Sequence, residues 1–124
     1  MTVKDKVERW LKDIAAVESL PNDIVAVNIG MFETKNGYGV YMCGSKEYDE
    51  EDDDWACDAD YEPGEKYLIL EGKGFESMAW ETMQNQMVLS LKLILECGDE
   101  SVRRFFGNRV LTTGFDEGNI IRMK

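Results

Sequence analysis

Carboxylates are concentrated in one stretch of this chain, together with aromatic side chains that could support binding. Ten of the sixteen residues in EYDEEDDDWACDADYE, residues 47–62, are acidic, and none is basic. Of the chain's 25 acidic residues, the other 15 are nearly balanced by 14 basic ones, so this acidic segment carries almost all of the net charge of −11. Such a segment attracts cations or basic proteins, and it repels nucleic acid and anionic membranes.

Rings lie among these carboxylates, and the mixture is typical of a protein-binding surface. Aromatic side chains are enriched at binding hot spots, carboxylates steer basic partners at long range, and paired carboxylates hold arginine by two hydrogen bonds. A solvated loop that serves only solubility, with Trp55 folded inward, is the plainer interpretation of the same residues. The binding interpretation predicts partner contacts at Tyr48, Glu51, Asp52, Asp53, Asp54, Trp55, Asp58, Asp60 and Tyr61.

Two alternative functions use the same carboxylates. Calcium takes six to eight oxygen ligands, but the segment lacks the glycine and the distal glutamate of an EF-hand loop. Paired carboxylates also serve glycoside hydrolysis, although nothing in the sequence fixes two of them at a suitable separation. We therefore assign no catalytic residue, metal ligand or cofactor, and we expect a protein that is not an enzyme.

Composition limits the remaining functions. The chain contains no histidine, which excludes imidazole base catalysis and most zinc sites. Cys43, Cys57 and Cys97 form no C-x-x-C pair, so we expect reduced thiols. The sequence has neither a signal peptide nor an apolar run as long as a membrane span, which predicts a cytoplasmic protein with no membrane partner. Its 124 residues indicate one domain, 1–124.

Hydrophobic periodicity predicts the elements that position the acidic segment. Thr2 and Asp5 form a capping box for the first helix, Asn36-Gly37 predicts a hairpin, and Gly39 weakens the returning strand or marks a bulge. Gly98 is expected to cap the long helix in a left-handed conformation. The predicted elements are helices at 3–18, 77–97 and 99–106, and strands at 24–33, 38–44, 67–71, 110–115 and 119–123.

This order predicts an α+β fold, with a mainly antiparallel sheet of about five strands and two main helices packed on it. The apolar stripe of the long helix includes Trp80, Met83 and Met87. A positive cluster of Arg103, Arg104 and Arg109 could pair with the acidic segment or balance a helix end.

Three blocks of the chain resemble a family of small acidic bacterial proteins that act as immunity proteins of polymorphic toxin systems. These blocks are SLPNDIVAVNIGMFET, GSKEYDEEDDDWACDADYEP and TTGFDEGNIIRMK, and the resemblance runs from about Ser19 to the end. The resemblance implies a protein that binds and neutralises a toxin domain and needs no cofactor or catalytic residue. The assignment of individual toxin contacts rests on charge and aromatic content.

Overall fold

The computed structural model describes residues 2–52, 55–56, 59–116 and 118–124. Its order is helix, three strands, two helices, two strands. The helices are α1 (Val3–Val17), α2 (Trp80–Cys97) and α3 (Glu100–Phe106). The strands are β1 (Ala26–Thr34), β2 (Gly37–Ser45), β3 (Tyr67–Glu71), β4 (Val110–Phe115) and β5 (Ile121–Arg122).

The five strands form one sheet in the order β3-β2-β1-β4-β5. The β1–β2, β2–β3 and β4–β5 pairs are antiparallel, whereas β1 and β4 are parallel. The predicted α+β class and mostly antiparallel sheet are therefore confirmed. The parallel pair was not predicted, because two strands and two helices separate β1 from β4 in the chain and no local turn residue specifies that contact.

The sheet buries one face against the helices. Val27, Ile29 and Met31 of β1 belong to a hydrophobic cluster that also contains Leu11 of α1 and Met87 of α2. The opposite face, called here the second face, carries the alternate residues of each strand, because successive side chains point to opposite sides. Part of this second face, around Cys43, lies beneath the acidic segment.

Thr2 and Asp5 start α1 as predicted. The Thr2 hydroxyl accepts from the Asp5 backbone N–H at 3.2 Å, and the Asp5 carboxylate accepts from the Thr2 backbone N–H at 3.3 Å. This capping box satisfies two of the helix's N-terminal donors. Among the residues that the structure describes, no helix has the length and apolar character needed to cross a membrane.

Glycine accounts for two corrections to the sequence predictions. Gly98 has φ −79°, so the left-handed cap predicted there is wrong. A Cβ at Gly98 would lie 2.5 Å from the Ile94 carbonyl oxygen, so this glycine permits a close approach instead. Of the two alternatives given for Gly39, a weakened strand or a bulge, the bulge is wrong, because the β1–β2 register runs unbroken through the pairing of Gly39 with Phe32.

Trp80 is the third correction. The apolar stripe of α2 is buried at Met83, Met87 and Leu91, but Trp80 begins the helix and is 48% exposed. Its ring contacts Phe115 edge-on, with centroids 6.0 Å apart. Periodicity placed Trp80 on the buried side, but the end of a helix can extend beyond the sheet that covers its middle.

Candidate functional site

The acidic segment leaves the sheet at the end of β2 and returns to the same place. Gly44 and Tyr61 form an antiparallel bridge, in which the Gly44 N–H donates to the Tyr61 carbonyl at 2.8 Å. Beside it, the Asp60 carboxylate accepts from the Lys46 backbone N–H at 2.8 Å. The two ends of the segment are therefore joined, as in compact surface loops whose termini lie close together.

A second attachment fixes the returning end of the segment to α1. The Glu18 carboxylate accepts from the Tyr61 hydroxyl at 2.7 Å and from the Gly64 backbone N–H at 2.8 Å. Burial, followed by this hydrogen bond to Glu18, raises the pKa of the Tyr61 hydroxyl. Tyr61 thus remains a neutral donor to the carboxylate, and we call the arrangement the Glu18 clamp.

Trp55 is a buried anchor. Its side chain is only 6% exposed and contacts the ring of Tyr48 edge-on, with centroids 5.2 Å apart. The adjacent Ala56 carbonyl accepts from the Cys43 thiol at 3.5 Å. The indole therefore folds inward, as the plainer interpretation of the segment has it. Burying an indole removes roughly 150–250 Å² from water, which stabilises the covered loop by several kcal/mol.

Tyr48 and Tyr61 are also turned toward the protein itself. Tyr48 is half-buried, and the Arg122 guanidinium lies 5.5 Å from its ring centroid. Tyr61 is half-buried in the Glu18 clamp. The aromatic side chains described in the acidic segment therefore hold the segment in place, and they offer little ring surface to a partner.

The described carboxylates of the segment point outward. Glu51, Asp52 and Asp60 are exposed, whereas predicted contacts at Asp53, Asp54 and Asp58 lie outside the described residues. Across residues 47–62, the exposed described carboxylates are Glu47, Asp49, Glu50, Glu51, Asp52, Asp60 and Glu62.

Part of this charge is balanced within the molecule, and the cations involved differ from those predicted. Arg122 contacts Glu50 at 2.6 Å and Lys66 contacts Glu62 at 3.0 Å. The hydrogen bond from Lys66 to Glu62 raises the pKa of the lysine. Arg104 instead pairs with Glu100 within α3. The segment retains an excess of carboxylates over these two cations.

Arg109 was expected either to pair with the acidic segment or to balance a helix end, and its described contacts at the end of α3 fit the second alternative. Its guanidinium donates to the carbonyl of Ile24 at 2.8 Å and to that of Pro21 at 3.0 Å. Longer contacts of 3.3–3.4 Å reach Leu20, Phe105 and Phe106. The guanidinium is planar and carries five N–H donors, so it can hydrogen-bond several backbone carbonyls where neighbouring elements end.

The part of the second face that the acidic segment does not cover presents aromatic rings that pack over glycine residues. Gly30 lies opposite Tyr41, and Gly39 lies opposite Phe32. A Cβ at Gly30 would lie 2.1 Å from the Tyr41 ring, and one at Gly39 would lie 2.2 Å from the Phe32 ring. Each ring therefore lies flat across the neighbouring strand because the facing residue has no side chain.

Tyr67 extends this aromatic surface to the edge of the sheet. Its ring meets Phe32 edge-on at 6.0 Å, and the Lys66 ammonium lies 5.3 Å from its centroid. The Tyr41 hydroxyl donates to Asp116, which connects the surface to the β4–β5 turn. Phe32, Tyr41 and Tyr67 are not among the partner contacts predicted from the sequence. The only local signal was the alternation of glycine and aromatic residues in the two strands of the predicted hairpin.

A cleft of about 390 Å³ lies where the acidic segment meets the second face and the β4–β5 turn. Asn28, at its floor, is 5% exposed, and its side-chain oxygen accepts from the Thr112 hydroxyl at 2.9 Å. Glu62, Lys66 and Asp116 line the walls. Within the described ranges, no three acidic or thiol side chains are grouped closely enough to hold a metal ion.

Comparison of the chain with protein-family models, with curated proteins and with solved structures finds no match.

Proposed function

We propose that this protein is a non-enzymatic binding protein that captures a basic protein partner through the outward carboxylates of its acidic segment. In this proposal it acts in the cytoplasm as an immunity protein, and the partner is the cognate toxin domain. The observation that carries the proposal is the combination of exposed carboxylates with a backbone held at three places. Those places are the Gly44–Tyr61 bridge, the Glu18 clamp and buried Trp55.

Pre-organisation supports this function. A flexible polyanion loses conformational freedom when it binds, and ordering costs roughly 0.5–1.5 kcal/mol for each immobilised side chain. The attachments of the acidic segment are already made in the free protein, so less ordering is left for the encounter. Exposed carboxylates such as Glu47 and Glu51 are then presented on a fixed surface.

Electrostatics determines the class of partner. The acidic segment holds most of the net charge of −11, so it attracts a cationic surface before contact. A toxin that acts on nucleic acid needs a basic cleft, and a surface rich in carboxylates competes with phosphates for that cleft. Electrostatic attraction accelerates association of this kind, and the association rate falls as salt screens the charges.

The test compares two triple variants with the same change in net charge. The first is Glu47→Gln, Glu51→Gln and Asp52→Asn in the acidic segment. The second, matched control is Asp13→Asn, Glu76→Gln and Glu96→Gln, at exposed positions elsewhere. The immobilised wild-type protein first captures the partner from a lysate of the native cell. The partner is then identified by mass spectrometry and purified for kinetic measurements.

We expect the first variant to associate with the purified partner roughly tenfold more slowly at low salt, with a flatter dependence of rate on ionic strength. The control should keep the wild-type rate within about twofold, because its charges lie away from the contact. Equal rates for both variants would contradict the proposal, as would a partner with an acidic surface. A toxicity assay, with the partner expressed alone or with each variant, tests the immunity role separately.

A further inference from the structure

The outer edge of β3 carries backbone groups that have no partner within the described chain. Met42 donates to the Lys66 carbonyl and Gly72 donates to the Asn36 carbonyl, so the hydrogen-bonded β2–β3 pairs are at even-numbered positions. In an antiparallel pair, bonded and non-bonded positions alternate. The N–H and C=O groups of Tyr67, Ile69 and Glu71 therefore point away from β2.

This edge lacks most of the features that normally protect a sheet edge. None of the described residues hydrogen-bonds the outward groups of Tyr67, Ile69 and Glu71. The strand YLILE contains no proline or lysine, its register with β2 contains no bulge, and Tyr67 and Ile69 are 55% and 51% exposed. An exposed apolar edge of this kind is a template for another strand.

We propose that β3 pairs with β3 of a second copy of this chain, in an antiparallel arrangement centred on Ile69. This register gives the full overlap of two five-residue strands, in which Tyr67 of one copy faces Glu71 of the other. All hydrogen-bonded pairs are then at odd-numbered positions, and these are the positions whose backbone groups point outward. The arrangement forms about six hydrogen bonds between the copies.

Side chains favour a second copy over an unrelated strand. Because the strands are antiparallel, the end that carries Glu65 and Lys66 meets the end of the second copy that carries Lys73 and Glu71. Opposite charges therefore meet at both ends of the contact, whereas a parallel pairing would place Glu71 beside Glu71. Ile69 packs against its own symmetry mate at the centre, where cross-strand apolar pairs stabilise a sheet.

The strength of the dimer is limited by its small contact and by the net charge. One pair of five-residue strands buries less than the roughly 1,200 Å² typical of stable complexes, which places it among weak interfaces. The acidic segments of the copies also repel each other. We expect half-dimerisation at protein concentrations on the order of 100 μM in physiological salt.

Sedimentation velocity over about 10 μM to 1 mM tests the proposal with the full chain. The wild-type mass should rise from 14.2 kDa toward twice that value. The variant Ile69→Lys, which places two like charges opposite each other, should stay monomeric. The control Val17→Lys, at a position 79% exposed on α1, makes the same charge change and should dimerise like the wild type.

Amide hydrogen exchange locates the contact. In the wild type, the Tyr67, Ile69 and Glu71 amides should exchange fast at low concentration and become at least about fivefold slower at high concentration. The Leu68 and Leu70 amides, which already bond to β2, should change little. A monomer at every concentration would refute the proposal. So would dimerisation of Ile69→Lys, or dimers in which the odd-numbered amides still exchange fast.

Discussion

The Glu18 clamp provides the sharpest test of how the acidic segment is held. The substitution Tyr61→Phe keeps the ring, which packs against the hydrophobic core, and removes only the hydroxyl that donates to Glu18 at 2.7 Å. A hydrogen bond to a charged group contributes roughly 1.5–3 kcal/mol when well shielded. Tyr61 is half-buried, so water partly replaces the lost contact, and we expect a loss of about 1 kcal/mol at pH 7.

The pH dependence of this loss has a definite sign. The folded-state pKa of Tyr61 is raised above the ordinary value of 10.0, mainly by burial and then by the bond to Glu18. A raised folded-state pKa gives stability that is fully present below the unfolded-state pKa and is lost as pH rises toward the folded value. The stability difference between wild type and Tyr61→Phe should therefore narrow above about pH 10.

Urea denaturation followed by tryptophan fluorescence measures the difference, with Tyr48→Phe as the control. Tyr48 is also half-buried in the acidic segment, but it contacts its neighbours through its ring. At neutral pH, Tyr61→Phe should lower the free energy of unfolding by about 1 kcal/mol, and Tyr48→Phe should be close to neutral. Equal effects of the two substitutions, or a Tyr61→Phe difference that grows above pH 10, would refute the reasoning.

Two further predictions concern the framework. Gly37→Ala should destabilise the protein by about 1–3 kcal/mol, because its Cβ would lie 2.1 Å from the Leu70 carbonyl oxygen and no rotamer change can move that backbone atom. Gly118→Ala, whose Cβ would lie 3.7 Å from the Phe115 carbonyl oxygen, should be near neutral in the same urea titration. Glu8→Gln should cost about 1 kcal/mol at pH 7, because the Glu8 carboxylate accepts from the Asp99 N–H at 3.0 Å and pairs with Lys4 at 3.0 Å, and a neutral amide oxygen makes weaker contacts than a carboxylate. The hydrogen bond from Asp99 lowers the pKa of Glu8, so the stability that Glu8 contributes is present above the unfolded-state pKa and is lost as pH falls. In calorimetry, the stabilities of wild type and variant should converge below about pH 4. A stability difference that stays constant with pH would contradict the assignment.

Local sequence patterns predicted much of the fold. Apolar periodicity placed α1 and α2, and the capping box at Thr2 and Asp5 formed as expected because its atoms are three residues apart. The β1–β2 hairpin was also predicted, but from turn geometry, whereas the structure shows that its glycines allow close packing of neighbouring groups. Gly37 admits the β3 backbone and Gly39 admits the Phe32 ring. These requirements come from neighbouring strands, which no local pattern describes.

The candidate site was predicted only in its charge. Clustered carboxylates near one another in sequence stay near one another in space, so the composition of residues 47–62 was sufficient to predict an anionic surface. Whether the Trp55 side chain is buried or exposed could not be predicted in the same way. An indole contributes apolar area equally to a surface hot spot or to a loop anchor, and only the folded structure shows that Trp55 is buried.

What the sequence determined by itself is therefore the sign and position of the charge, the order of helices and strands, and the absence of histidine chemistry, because each depends on residue type or on short spacing. The tertiary structure decided which rings turn inward, which cations meet the carboxylates, and which strand edge lies open. Arg122 reaches Glu50, and Tyr61 reaches Glu18, across long separations in the chain. Contacts of that kind arise only when the sheet and its helices have brought distant segments together.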